Sequence, residues 1–261
     1  MPHDSPLALA VFVAAGLFAG FVNTLAGAGS LVSLRALMLF GLPADVANAT
    51  NRVPVLAQSL AAAHGFAGAG ALERGQLVRV MWPALLGSGA GALAASYAPE
   101  AIMRWVLIVV LFGIGVMGLV SVRKKSAALA SEPTPEEIAA SLAKPATVAW
   151  LFVAGAYGGF LQAGVGLVLL HALSSVGKLD LVRANAMKVV IVAVFTVLSL
   201  AIFVWRDQVV WLPAAVMSVG SVVGARLAVR FASLDKKRLQ VAVVVIDAVA
   251  CIVLAARELW G

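Results

Sequence analysis

Two similar stretches of the sequence place amide side chains next to a cation in apolar surroundings. They read V-A-N-A-T-N-R-V at 46–53 and R-A-N-A-M-K-V-V at 183–190, 137 positions apart in a chain of 261 residues. Amide and cationic groups offer many hydrogen-bond donors, which suit an anion with several acceptor oxygens. The pattern therefore predicts one oxyanion site to which both halves contribute. Its candidate ligands are Asn48, Asn51, Arg52, Asn185 and Lys188.

A glycine cluster precedes each of these stretches, as A-G-A-G-S at 26–30 and A-G-V-G at 163–166. Glycine allows a sharp bend and close approach to the backbone. A helix that starts there presents free N–H groups and a partial positive charge, which attract anions. The alternative is that small residues only let membrane helices pack closely. We add to the candidate site Gly27, Gly29, Ser30 (also as the cap of the new helix), Gln162, Gly164 and Gly166, with Asn23 as a further ligand.

The composition indicates the elements that must position these residues. Hydrophobic residues make up 62% of the chain and charged residues 12%, against about 25% charged in soluble domains. Runs of roughly 17–25 apolar residues are long enough to cross a bilayer as helices. We therefore expect an all-α polytopic membrane protein with eight to ten hydrophobic segments, near 7–25, 28–41, 45–67, 76–97, 100–121, 146–162, 164–177, 181–205, 209–230 and 238–257.

The two halves look like a duplication, and the cations indicate its sense. If each half crosses the membrane an odd number of times, 12 of the 19 Lys and Arg residues fall on one side and only 3 on the other. Cytoplasmic loops carry an excess of cations, so odd halves and inverted-topology repeats are favoured. Each half would have five crossings, or a hairpin with its glycine tip at the midplane followed by three crossings. We favour the hairpin, because it needs no underlength span.

The polar stretch between the halves divides the chain into three parts. We expect a first membrane repeat at 1–122, a cytoplasmic linker at 123–145 and a second repeat at 146–261. Within S-E-P-T-P-E-E-I, Thr134 and Glu137 fit a capping box with Pro135 at the first helical position, which predicts a short surface helix.

The remaining polar residues suggest lesser roles. Asp247 lies in an apolar run and is a candidate for proton coupling, while Asp45 and Asp180 fit helix N-caps. The single cysteine, Cys251, can form no internal disulfide. The pattern contains no catalytic set and no metal or cofactor motif, so we expect neither an enzyme nor a cofactor. The excess of cations is explained by membrane topology rather than by nucleic-acid binding.

Several of these motifs resemble the sulfite exporter TauE/SafE family of bacterial membrane proteins. They are G-F-V-N-T-L-A-G-A-G-S at 20–30, A-N-A-T-N-R at 47–52, F-L-Q-A-G-V-G at 160–166 and R-A-N-A-M-K at 183–188. The family's first turn often has three glycines in a row, whereas this chain has A-G-A-G-S. The resemblance spans nearly the whole chain. It implies transport of small sulfur-containing anions, mostly outward across the inner membrane.

We therefore expect a secondary transporter in the bacterial inner membrane, with a homodimer left open as its assembly. It would export a small sulfur-containing anion, sulfite or an organosulfonate, through a central site between the repeats. One alternative is proton-coupled uptake of a small anion such as thiosulfate. An alternative of another class is a non-transporting membrane scaffold subunit, in which the asparagines only hold helices together.

Overall fold

The computed structural model describes residues 3–68, 74–99, 102, 105–106 and 134–234, and all regular elements within them are helical. The elements, numbered in chain order, are α1 Pro6–Leu25, α2 Ser30–Leu39, α3 Ala44–Thr50, α4 Arg52–Gly68, α5 Arg74–Tyr97, α6 Pro135–Leu142, α7 Pro145–Phe160, α8 Val165–Leu170, a π-helical turn His171–Val176, α9 Leu181–Trp205 and α10 Trp211–Leu234.

Four of these helices are long and apolar enough to span a membrane: α1, α5, α9 and α10. A fifth span results if α6 and α7, which meet at a bend of 58°, are counted together. The prediction of an all-α protein with several membrane spans is thus confirmed. The predicted segments at 100–121 and 238–257 lie almost wholly outside the described residues, so the total of eight to ten stays a prediction.

Large apolar side chains cover the outside of the long helices, as expected for surfaces that face lipid. Leu86 and Val219 are 65% and 63% exposed, although a soluble protein would bury most such residues. Trp205 and Trp211, at 74% and 57% exposed, flank the link between α9 and α10. Tryptophan is enriched where a membrane meets water, so this link fits the headgroup level.

The helices break where the glycine clusters predict. Helix α1 ends at Leu25 and α2 starts at Ser30, with Gly27 at φ 91°; the break between α7 and α8 has Gly164 at φ 72°. Residues with side chains rarely adopt these angles. Helix α2 folds back along α1, and the rings of Phe12 and Phe40 meet edge to face at 5.3 Å. The first break is thus the tip of a helical hairpin.

Two of the predicted caps are borne out and two are wrong. Thr134 and Glu137 form the predicted capping box at the start of α6, and Asp180 caps α9 by accepting from the N–H groups of Val182 and Arg183. The N-cap of α2 is Gly29 rather than Ser30, and the N-cap of α3 is Pro43 rather than Asp45. In both cases the helix begins one or two residues earlier than predicted, so the polar residue lies within its first turn.

Helix α6 is more than a surface element of the linker. Its side chains Ile138 and Leu142 are buried, at 4% and 1% exposed, in a cluster with residues of α5, α7 and α9. Leu142 also contacts the backbone position of Gly177, just after the π-helical turn. The helix therefore docks through its apolar face onto α5 of the first half and onto α7 and α9 of the second.

Glycine faces allow two helix pairs to pack with their backbones in contact. A Cβ atom at Gly16 or Gly20 of α1 would collide with the carbonyl oxygen of Met217 or Ser221 of α10. The same relation holds between α7 and α5. A contact further along one helix of a pair is also further along its partner, so the two helices of each pair run parallel. Each pair therefore combines one helix from each half, since α1 packs on α10 and α7 packs on α5.

This packing predicts that Gly91→Ala destabilises the protein. The added methyl would collide with the Ala156 carbonyl and lie 2.9 Å from the Phe160 nitrogen, so α5 and α7 must separate. Overpacking of this kind costs about 1–3 kcal/mol, and we expect a melting temperature lower by roughly 2–10 °C in detergent.

Gly68→Ala is the matched control, because a Cβ there meets no atom of the described residues within 4 Å. Alanine also favours a helix over glycine, so this variant should melt at the wild-type temperature or slightly above it. Equal melting temperatures for the two variants would contradict close packing of α5 on α7.

Candidate functional site

Lys188 of α9 caps the end of α1 from the other half of the chain. Its Nζ lies 2.9 Å from the carbonyl oxygen of Asn23, 3.0 Å from that of Thr24 and 2.7 Å from Oδ1 of Asn185. The last carbonyls of a helix have no partner within it and carry a partial negative charge. The ammonium, only 1% exposed, supplies both a donor and a positive charge at this point.

Arg52 of α4 does the same at the end of α7. Its guanidinium stacks over the Phe203 ring at 4.8 Å, and the residue is fully buried. Its five hydrogen bonds, of 2.6–3.4 Å, go to the carbonyls of Gly158, Gly159 and Phe160 and to the side chains of Gln162 and Ser199. All five acceptors are neutral. Arg52 therefore caps the C-terminal end of α7 through hydrogen bonds to uncharged groups.

These two contacts are reciprocal, and they account for the cation in each of the two similar stretches. Arg52, from the first half, holds the helix that precedes the second glycine turn. Lys188, from the second half, holds the helix that precedes the first. Each glycine turn is therefore fixed by a buried cation from the opposite half.

The asparagines support these caps to different degrees. Asn48 donates to the Phe160 carbonyl at 2.9 Å and accepts from the Gln162 N–H at 3.3 Å, so it fixes the second turn. Asn185 orients Lys188. Asn51 is buried, and neither of its side-chain polar atoms has a partner among the described residues.

The two glycine turns touch each other at the centre of these contacts. A Cβ at Gly27 would collide with the backbone of Gly166, and a Cβ at Gly166 with that of Gly27. The turns supplied by the two halves thus converge, with backbone against backbone.

The first N–H groups of α2 have partners within the chain. The Ser30 N–H donates to Oδ1 of Asn23 at 3.1 Å, and those of Leu31 and Val32 donate to Ala28 and Gly29. In α8, the N–H of Leu167 donates back to the Gly164 carbonyl. Tight turns thus satisfy these groups, so donors for an anion must come mainly from side chains.

A small cavity lies beside the converging turns, with walls from both halves. Its volume is about 20 Å³, counted as the space open to the centre of a water molecule, which is room for roughly one water. Valines from α4, α8 and α9 form its apolar wall. Its polar lining comes from Asn23, Thr24, Ser30, Gln58, Ser59, Gln162 and Lys188.

The cavity includes part of the predicted site. Gly27, Ser30, Gln162, Gly166 and Lys188 line it, as does the additional candidate Asn23. The other candidates lie outside the lining and shape the turns or the helix ends instead: Gly29, Asn48, Asn51, Arg52, Gly164 and Asn185. Asp247 falls outside the described residues.

Three polar residues of the lining were missed from the sequence: Thr24, Gln58 and Ser59. Gln58 had a usable signal, because it lies seven residues after Asn51 and so on the same face two helical turns later. Among the described residues no three His, Cys, Asp or Glu side chains come together to hold a metal ion. The chemistry of this cavity is therefore that of amides, hydroxyls and an ammonium group.

The five hydrogen bonds of the Arg52 guanidinium predict that Arg52→Lys lowers the stability of the protein. A lysine ammonium lacks the planar fork and cannot contact all five acceptors. Each buried carbonyl left unpaired costs about 1–3 kcal/mol, so the melting temperature in detergent should fall by several degrees.

Arg206→Lys is the control for this substitution. Arg206 is exposed, and its guanidinium lies over the face of the Tyr97 ring at 4.5 Å. Its replacement should change the melting temperature little. The helix-capping role would be wrong if both variants melted like the wild type.

Comparisons with known proteins show the family of the chain. The sequence profile described as Sulfite exporter TauE/SafE matches residues 12–254. A probable membrane transporter protein of Haemophilus influenzae is 26% identical over 231 residues, 88% of each chain. The probable membrane transporter protein YfcA of Escherichia coli is 26% identical over 246 residues, 94% of this chain and 88% of its own. No solved structure matches significantly. Because the profile covers nearly the whole sequence, the chain belongs to the sulfite exporter TauE/SafE family of membrane transporters.

Proposed function

We propose that the protein is a secondary transporter that exports a small sulfur-containing oxyanion, sulfite or an organosulfonate, across the inner membrane. The observation that carries the proposal is the cavity between the halves, where Lys188 places an ammonium among amide and hydroxyl groups. Besides capping α1, Lys188 brings a positive charge to the wall of this cavity, and ionisable residues inside a membrane commonly mark a substrate pathway. The choice of sulfur comes from the family.

Inverted-topology repeats are part of this proposal. Three features support them. They are the reciprocal caps, the pairs α1–α10 and α7–α5, in which each half provides one helix, and the opposite directions of α4 and α9. Arg52 at the start of α4 bonds to Ser199 near the end of α9, whereas Gln58 lies further along α4 and shares the cavity with Lys188 near the start of α9. Helices that follow the same motif in the two halves thus run antiparallel, as inversion requires.

The size of the cavity fits an occluded state in this mechanism. Room for about one water is too little for an anion with three or four oxygens. The walls must part to admit it, and because they belong to different halves, a movement of one half against the other would do so. The π-helical turn His171–Val176, directly after α8, is a natural place for that adjustment.

Outward transport is favoured by electrostatics. An inside-negative membrane potential drives a monovalent anion outward with about 2.3 kcal/mol per 100 mV. Export therefore needs no coupling ion, whereas uptake would.

Ligand binding to the purified protein tests the proposal. A ligand that binds only the native state raises its apparent stability by RT ln(1 + [L]/Kd). We expect sulfite or an organosulfonate to raise the melting temperature in detergent, whereas acetate and chloride do not. Lys188→Met should lose the shift, and Arg206→Lys should retain it.

A panel of sulfite, sulfate, thiosulfate, taurine, sulfoacetate, acetate and chloride without a selective shift would argue against a transporter of sulfur anions. It would favour the hypothesis of a non-transporting membrane scaffold subunit, in which Asn48→Ala and Asn185→Ala lower stability without any ligand-specific effect.

Transport in vesicles tests the direction. In proteoliposomes loaded with sulfite, an inside-negative potassium diffusion potential should accelerate efflux. At equilibrium, 100 mV supports a gradient of roughly fiftyfold for a monovalent anion. A protonophore applied without a potential should leave the efflux rate unchanged. Efflux that depended on a pH gradient would instead support proton coupling.

A further inference from the structure

Two polar side chains of the cavity wall have hydrogen-bonding capacity that the described residues do not use. Gln58 and Ser59 of α4 line the cavity and are each 3% exposed. Neither side chain forms a hydrogen bond within the described part of the chain. Neither residue is among those whose fully buried side-chain atoms lack a partner, so their polar atoms are open to the cavity and can bond to a molecule inside it.

Their polar neighbours in the wall are already engaged. Asn23 and Ser30 bond to each other across the first turn, with Ser30 N–H and Asn23 Nδ2 as donors. The Gln162 amide accepts from Arg52 at 2.7 Å and donates to Thr196 at 3.2 Å. Asn23 and Gln162 each keep one amide N–H beyond these bonds, whereas on α4 the whole side-chain amide of Gln58 and the hydroxyl of Ser59 are left to receive a ligand.

The charges around the cavity are unequal. Lys188 lines it, whereas Arg52 is directed at the end of α7 and stays outside the lining. The described wall thus supplies at most one positive charge. A singly charged anion can be neutralised there, but a doubly charged anion would leave at least one negative charge in a medium of low dielectric, which is strongly unfavourable.

We propose that Gln58 and Ser59 bind the oxygen atoms of the substrate, that the positive charge of Lys188 neutralises it, and that the site selects singly charged anions. The substrate class is then hydrogen sulfite or an organosulfonate with one negative charge, in preference to sulfate, thiosulfate or the sulfite dianion. This inference rests on the proposed transport of sulfur oxyanions and specifies the charge of the transported form. The amide can donate two hydrogen bonds and the hydroxyl one, which matches a sulfonate group that offers only acceptors.

The test compares two tetrahedral sulfur anions that differ in charge. Methanesulfonate carries one negative charge and sulfate two at neutral pH. Titration calorimetry with the full chain in detergent should show methanesulfonate binding at least tenfold more tightly than sulfate.

Two variants test the ligands on α4. Gln58→Leu removes the amide at similar volume and should weaken methanesulfonate binding roughly tenfold or more, since hydrogen bonds to charged groups are the strong ones. Ser59→Ala should weaken it severalfold. The controls are Gln208→Leu and Ser96→Ala, which lie outside the cavity lining and should bind like the wild type. Melting curves without ligand verify that each variant is folded.

The outcomes separate this inference from the proposed function. Sulfate binding as tight as methanesulfonate binding would overturn the charge selection. Wild-type affinity in folded Gln58→Leu and Ser59→Ala would overturn the ligand role, and if Gln58→Leu does not fold, Ser59→Ala decides. If folded wild-type protein binds no sulfur anion at all, the proposed function itself fails.

Discussion

Two buried cations, each placed at a helix end of the opposite half, are the interaction on which the rest of the structure depends. Helices that end inside an apolar medium leave carbonyl groups without water to bind them, and each such group costs several kcal/mol. Arg52 and Lys188 satisfy these groups and oppose the negative end of the helix dipole. Only with the helix ends fixed can the glycine turns that follow be held in contact, and those turns border the cavity.

The glycine faces complete this arrangement, because they determine how closely the helices approach. In a bilayer there is little hydrophobic gain from bringing two helices together, so contact between backbones must supply the attraction. The faces on α1 and α10, and on α7 and α5, provide it. Since both pairs combine one helix from each half, the same contacts that stabilise the protein place the cavity at the boundary between the halves.

The sequence allowed the local features to be predicted better than the distant ones. The bounds of α9 agree with the predicted segment at 181–205, and the breaks fall at the glycine clusters, because both depend on neighbouring residues. The cations were identified, but the carbonyls that they cap lie more than 100 positions away, as for Arg52 and Gly158, and no local pattern specifies such pairs. Gln58 was overlooked because one amide in an apolar helix resembles any other until its surroundings are known.

The reciprocal caps also have a consequence for biosynthesis. Asn23, whose carbonyl accepts the bond, and Lys188, whose Nζ donates it, are 165 positions apart. The end of α1 is therefore synthesised long before its cap. At ribosomal rates of about 5–20 residues per second, the interval is on the order of ten seconds or more. During that interval the first half can insert but cannot reach its final structure. Membrane insertion and assembly are therefore separate events for this chain, and assembly waits for α9.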